Sequence, residues 1–180
     1  MTNVNTLIQK LQELDEDELI AQVGMRAQAI ESDQERAASI ESLSEPMPVP
    51  RASWDDVLKT GQNLLNQTSA NTYKLMCTPI GGNGDLAKEL DQVFNEKTAV
   101  AAAKATSLIA PVLVSSLGLP QSLAVLLGTL IVKNLAKGTS DLVCDRWQQS
   151  LGISSNTSPT TIPGSNPAPS SQPPTGGSVS

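Results

Sequence analysis

The sequence contains no histidine, and its aromatic residues are limited to one Phe, one Tyr and two Trp. Without histidine, the chain cannot form the Ser-His-Asp or Cys-His arrangements of nucleophilic enzymes or the common histidine-containing zinc sites. With so few aromatic residues, a hydrophobic core has to be built from Leu, Ile, Val and Ala, which favours helices over a sandwich or barrel. We therefore predict an all-α fold.

Positive charge is also sparse and scattered. The net charge is −6, the Lys and Arg residues form no run of three, and acidic residues are concentrated before residue 50. Proteins that bind nucleic acid carry clustered Lys and Arg, so this class of partner is excluded. The first twenty residues have neither a basic start nor a continuous apolar run, so we predict no signal peptide and a cytoplasmic location.

The two cysteines, Cys77 and Cys144, are too few and too far apart to define a disulfide framework or a metal site. We predict that both are reduced and half-buried in the core. No other residue set has metal-ligand or cofactor-binding spacing. The Gly-rich stretch 81–84 lacks the Gly-Lys-Ser/Thr ending of a phosphate-binding loop, and we predict neither a cofactor nor a metal.

Proline and glycine divide the chain into four parts. Residues 1–44 form an amphipathic helical N-terminal arm in which Asp15 and Glu18 have the spacing of a capping box. Residues 45–52 are a Pro-rich linker, and 53–152 are a helical body that begins at a second capping box, Ser53 with Asp56. Residues 153–180 contain no charged residue and are rich in Ser, Thr, Pro and Gly, a composition typical of a disordered tail.

The most informative segment of the body is an apolar helical hairpin, residues 98–137. Between Lys104 and Lys133 no residue is charged. Gly118 and Pro120 interrupt this stretch, and glycine is favoured just after a helix while proline is favoured at the start of the next. We therefore predict two helices joined by a tight turn, with Gly118 in a left-handed conformation.

Three interpretations of this hairpin remain open: a self-associating pair of helices in water, a segment that inserts into a membrane, and the core of a monomer. We take the first as the leading prediction, because the rest of the chain offers few apolar faces to cover the pair and exposed apolar patches mark interfaces. The partner is then a second copy or another helical protein. The predicted interface residues are Ile109, Val112, Leu113, Leu117, Leu123, Leu126, Leu127, Leu130 and Ile131.

Paired carboxylates are the remaining catalytic candidates. Asp55 with Asp56, and Glu89 with Asp91, fall on the solvent faces of amphipathic helices. We predict that these residues are solvated and that the protein is not an enzyme. The predicted function is non-catalytic binding or assembly through the apolar helix pair, and the alternative is a membrane-associated or membrane-inserting protein, of the pore or anchor type.

Overall fold

In a computed structural model, the protein is all-helical. The structure describes residues 3–45, 53–78, 84–96, 98 and 100–153. The predicted linker, the Gly-rich stretch before Gly84 and the predicted tail lie largely outside the described residues. Within the described part the elements are α1 (Val4–Glu13), α2 (Glu16–Ser32), α3 (Gln34–Ala38), a 3₁₀ helix (Ile40–Ser44), α4 (Trp54–Cys77), α5 (Gly84–Asn95), α6 (Ala101–Leu117), α7 (Gln121–Ala136) and α8 (Val143–Ser150).

Local signals set the starts of α2 and α4 where they were predicted. Asp15 and Glu18 form the capping box of α2, and the Ser53 hydroxyl accepts from the Asp56 N–H at 3.3 Å to cap α4. α4 continues without interruption to Cys77.

The predicted turn between the apolar helices is confirmed. α6 ends at Leu117, Gly118 has φ +66°, and α7 begins immediately after Pro120. The Gly118 N–H donates to the Val114 carbonyl at 3.1 Å, which pairs one of the carbonyls at the end of α6.

The centre of the fold is α7. From Ser122 to Val132 every residue of this helix is buried. The N-terminal helices pack against α7 and α6, and the residues of α1 and α2 belong to the same hydrophobic core as those of the body. The N-terminal arm therefore supplies much of the apolar surface that covers the hairpin.

A close helix crossing joins α2 to α4 through two glycines. An ideal Cβ on Gly24 would lie 2.0 Å from the Val57 carbonyl oxygen, and one on Gly61 would lie 2.0 Å from the Ile20 carbonyl oxygen. Each glycine faces the backbone of the other helix, so the two helices approach more closely than any side chain at these positions allows.

Candidate functional site: the apolar hairpin and its surroundings

The predicted interface residues lie mainly in the interior of the single chain. Seven of them are buried: Ile109, Leu113, Leu123, Leu126, Leu127, Leu130 and Ile131. Val112 and Leu117, on α6, remain half-buried. In this conformation the seven buried side chains pack against other residues of the same chain. Val112 and Leu117 are the two predicted interface residues that can still contact another molecule.

Two polar side chains of α7, those of Ser122 and Lys133, bond to the N-terminal arm. The Ser122 hydroxyl donates to the Ala37 carbonyl at 2.6 Å. The Lys133 ammonium donates to the carbonyls of Gln12, at 2.9 Å, and Leu14, at 2.5 Å, at the C-terminal end of α1. A lysine at this position satisfies helix-terminal carbonyls and interacts favourably with the helix dipole. Ser122 and Lys133 thus dock the arm onto the hairpin.

The outer strip of α6 differs from α7 because it remains at the surface. We define it as Ser107, Leu108, Pro111, Val112 and Ser115, of which Ser107, Pro111 and Ser115 are exposed and the other two half-buried. At its N-terminal end Lys104 pairs with Glu96 at 2.9 Å. Beyond Lys104 the strip presents no charge to solvent.

The predicted reduced state of the cysteines is wrong. Cys77 and Cys144 form a disulfide, with their Cα atoms 5.6 Å apart, inside the range that a disulfide requires. Cys77 ends α4, and Cys144 lies in the first turn of α8. The tertiary packing of these two helices brings together thiols that lie 67 positions apart in the sequence.

Two hydrogen bonds between side chains extend the contact from α4 to α8. The indole N–H of the fully buried Trp147 donates to the Ser69 hydroxyl at 2.8 Å, and the Gln148 amide donates to the Tyr73 hydroxyl at 2.7 Å. The Tyr73 and Trp147 rings meet edge to face, with centroids 6.5 Å apart. Together with the disulfide, these contacts fix α8 beside α4.

The acidic pairs considered as catalytic candidates lie at or near the surface. Asp55, Asp56 and Glu89 are exposed. Asp91 is half-buried, and its carboxylate accepts from the Val143 N–H at 2.6 Å. Asp91 therefore caps the N-terminus of α8, where a negative charge is favoured by the helix dipole. In the described part of the chain, no group of three or more His, Cys, Asp or Glu residues could hold a metal ion.

A buried arginine, which the sequence analysis did not identify, holds the 3₁₀ helix against α2 within the N-terminal arm. Arg26 is 5 % exposed, and its guanidinium donates to the Ser42 hydroxyl at 2.7 Å and to the Ser42 carbonyl at 3.0 Å. Burial lowers the pKa of Arg26, while the Glu45 carboxylate acts in the opposite direction. Arg26 follows Leu19 by seven positions and Val23 by three, a spacing that places it near the apolar face of α2. No local pattern indicates that the 3₁₀ helix folds back onto it.

Two grooves flank the N-terminal end of α1. The first, the apolar groove, has a volume of about 340 Å³ and lies between α1, the 3₁₀ helix, α6 and α7. The second has a volume of about 620 Å³, lies between α1, α5 and α6, and is lined by Glu89, Glu96 and Lys104 among others. Val4, 41 % exposed, lines the first groove, Asn5 lines the second, and Ser107 lines both.

Within the described ranges, no helix combines the length and apolar character needed to cross a bilayer. Comparisons with known protein families, with curated proteins and with solved structures found no match.

Proposed function

We propose that this protein is a non-catalytic assembly protein that self-associates through the outer strip of α6. One observation carries the proposal: the strip lies at the surface, yet no residue from Ala105 to Val132 is charged. Charged residues are depleted at the centres of protein interfaces, because a buried charge loses its hydration.

The overall charge favours a second copy meeting this strip. Each copy carries a net charge of −6, so most relative orientations of two copies bring like charges together and are repelled. Contact through an uncharged strip avoids that repulsion. The exposed residues Ser107, Pro111 and Ser115 are small, which lets a neighbouring helix approach closely.

The experiment measures mass against concentration by light scattering for the wild type and for Val112→Lys. Because Val112 is half-buried, its lysine variant is expected to retain the fold. A lysine at a desolvated contact between two copies costs several kcal/mol. About 3 kcal/mol corresponds to a dissociation constant raised by roughly 150-fold. Gln149→Lys, on an exposed position of α8, adds the same charge away from the strip and is expected to associate like the wild type.

Leu127→Lys completes the series. Leu127 is 0 % exposed within one chain, so this variant is expected to lose helicity rather than change only its mass. A wild type that stays monomeric over the whole concentration range rejects self-association, and equal association of the wild type and Val112→Lys rejects the strip as the interface.

The second candidate is insertion of α6 and α7 into a bilayer, and it is favoured by the apolar character of α7 over most of its circumference. The helices have 17 and 16 residues, which at ~1.5 Å per residue is about 26 and 24 Å, short of the ~30 Å hydrocarbon core. Insertion therefore requires both an opened fold and a thinned bilayer. Flotation with phospholipid vesicles tests it: co-flotation supports insertion, and protein that remains at the bottom of the gradient rejects it.

We further infer that the protein resides in an oxidising compartment and not in the cytoplasm as predicted from the sequence. Cys77 and Cys144 form a disulfide, and disulfides are rare in reducing compartments. Thiol alkylation before and after reduction, followed by mass spectrometry of protein taken from its native cells, tests this. Alkylation only after reduction supports it, and labelling of both cysteines beforehand contradicts it.

A further inference from the structure

The apolar groove has the size and lining of a small-molecule site. Its volume of about 340 Å³ falls at the lower end of the ~300–1,000 Å³ that ligand pockets occupy. None of its lining residues is ionisable, and most are aliphatic: Val4, Ile8, Ala110, Val114, Ala124 and Val125 are among them. At a share of ~30 Å³ per water-sized atom, the groove holds roughly eleven non-hydrogen atoms.

One backbone acceptor at this groove lacks its usual helical donor. Proline has no N–H, so Pro111 cannot donate to the Ser107 carbonyl four residues earlier in α6. The carbonyls of an α-helix point along the axis toward the residue four positions on, and both Ser107 and Pro111 line the groove. The Ser107 hydroxyl does not replace the missing donor, because it donates to the Ala103 carbonyl at 2.9 Å.

We propose that the apolar groove binds an uncharged amphiphile: a single hydrocarbon chain of about eight to ten carbons whose hydroxyl head donates to the Ser107 carbonyl. The absence of charge from the lining argues against a carboxylate or ammonium head, since either would be buried without a partner. A donor is assigned to the head because the Ser107 carbonyl can only accept; the Gln121 amide, which also lines the groove, can both donate and accept and is compatible with the same hydroxyl head. This site shares Ser107 and Pro111 with the outer strip of α6, so self-association would cover part of it. Alcohol binding is therefore also measured on Val112→Lys, which is expected not to associate, so that failure of one proposal is distinguished from failure of the other.

The first test is a chain-length series of 1-alkanols from six to twelve carbons, with binding measured by titration calorimetry on the full chain. Each added methylene that enters the groove should lower the dissociation constant about fourfold. The gain should stop near ten carbons, where the groove is full. Affinity that keeps rising through twelve carbons indicates partition onto apolar surface and overturns the proposal, as does the absence of saturable binding.

The second test isolates the hydroxyl donor. 1-Octanol and 1-methoxyheptane are isomers with the same number of carbons, but only the alcohol can donate a hydrogen bond. The wild type should prefer the alcohol by about fivefold, the effect of one ordinary hydrogen bond. Pro111→Ala restores the N–H that pairs with the Ser107 carbonyl and should abolish this preference. Because Pro111 also lines the groove, the readout is the ratio of the two affinities within each protein and not the affinity for either ligand alone. An unchanged preference in Pro111→Ala overturns the assignment of the head group.

The third test locates the site. Val114→Trp fills the groove from α6, and Val4→Trp fills it from the rim on α1, where the side chain is already 41 % exposed. Each variant, checked for wild-type helicity by circular dichroism, should lose alcohol binding, whereas Gln149→Trp on the exposed face of α8 should retain it. If a folded variant of either groove position binds octanol like the wild type, the ligand lies elsewhere and the proposal is rejected.

Discussion

The crossing of α2 and α4 gives the sharpest test of how this chain folds, through the substitution Gly24→Ala. The added methyl would lie 2.0 Å from the Val57 carbonyl oxygen, whereas carbon–oxygen contacts are found at ~3.3 Å or more. The obstacle is backbone, which cannot rotate away as a side chain can. The helices must therefore separate locally by roughly 1.3 Å.

Two opposing effects set the change in the free energy of unfolding that Gly24→Ala causes. Forcing extra volume into a packed contact costs about 1–3 kcal/mol, and a collision with backbone belongs at the upper end of that range. Replacing glycine by alanine inside a helix returns about 1 kcal/mol. We expect Gly24→Ala to lower the free energy of unfolding by about 2 kcal/mol, with a similar loss for Gly61→Ala, whose methyl meets the Ile20 carbonyl at the same distance.

Urea unfolding followed by circular dichroism measures this, and Gly128→Ala in α7 is the matched control. The nearest atom to its added methyl is Thr106 Cγ2 at 3.5 Å, an ordinary contact, so this variant should be neutral or more stable by up to about 1 kcal/mol. The double variant of Gly24 and Gly61 should cost less than the sum of the singles, because one separation of the helices accommodates both methyls. If Gly24→Ala is as stable as Gly128→Ala, the close crossing does not exist.

Three further predictions concern other parts of the chain. The double variant Cys77→Ser, Cys144→Ser removes a disulfide that joins residues 67 positions apart. It should lower the free energy of unfolding by about 4 kcal/mol. The wild type unfolded under reducing conditions should have the same free energy of unfolding as the double variant. Gly118→Val should cost about 1 kcal/mol or more in the same assay, because Gly118 has φ +66° with open space around its Cβ position; a neutral result would mean that the turn tolerates another conformation. Truncation after Ile153 should leave the melting temperature unchanged, because the removed segment carries few apolar residues to bury, and a drop of several degrees would show that it packs on the body.

The amino-acid sequence by itself determined the helical class, the capping boxes at Asp15 and Ser53, and the hairpin turn at Gly118. Each of these depends on residues within a few positions of one another, where capping, glycine freedom and hydrophobic periodicity act directly. The uncharged stretch after Lys104 also identified the most apolar part of the fold.

The tertiary structure alone decided what surrounds that stretch. Periodicity shows that α7 is apolar on most sides, but it does not show which helices cover it. The N-terminal arm does so, docked by Lys133 and Ser122, while the buried Arg26 holds the 3₁₀ helix against α2 within the arm. The pairing of Cys77 with Cys144 was likewise invisible, because it joins residues that only the packing of α4 and α8 brings together. Such contacts depend on the relative placement of whole helices, and no local pattern of residues records that placement.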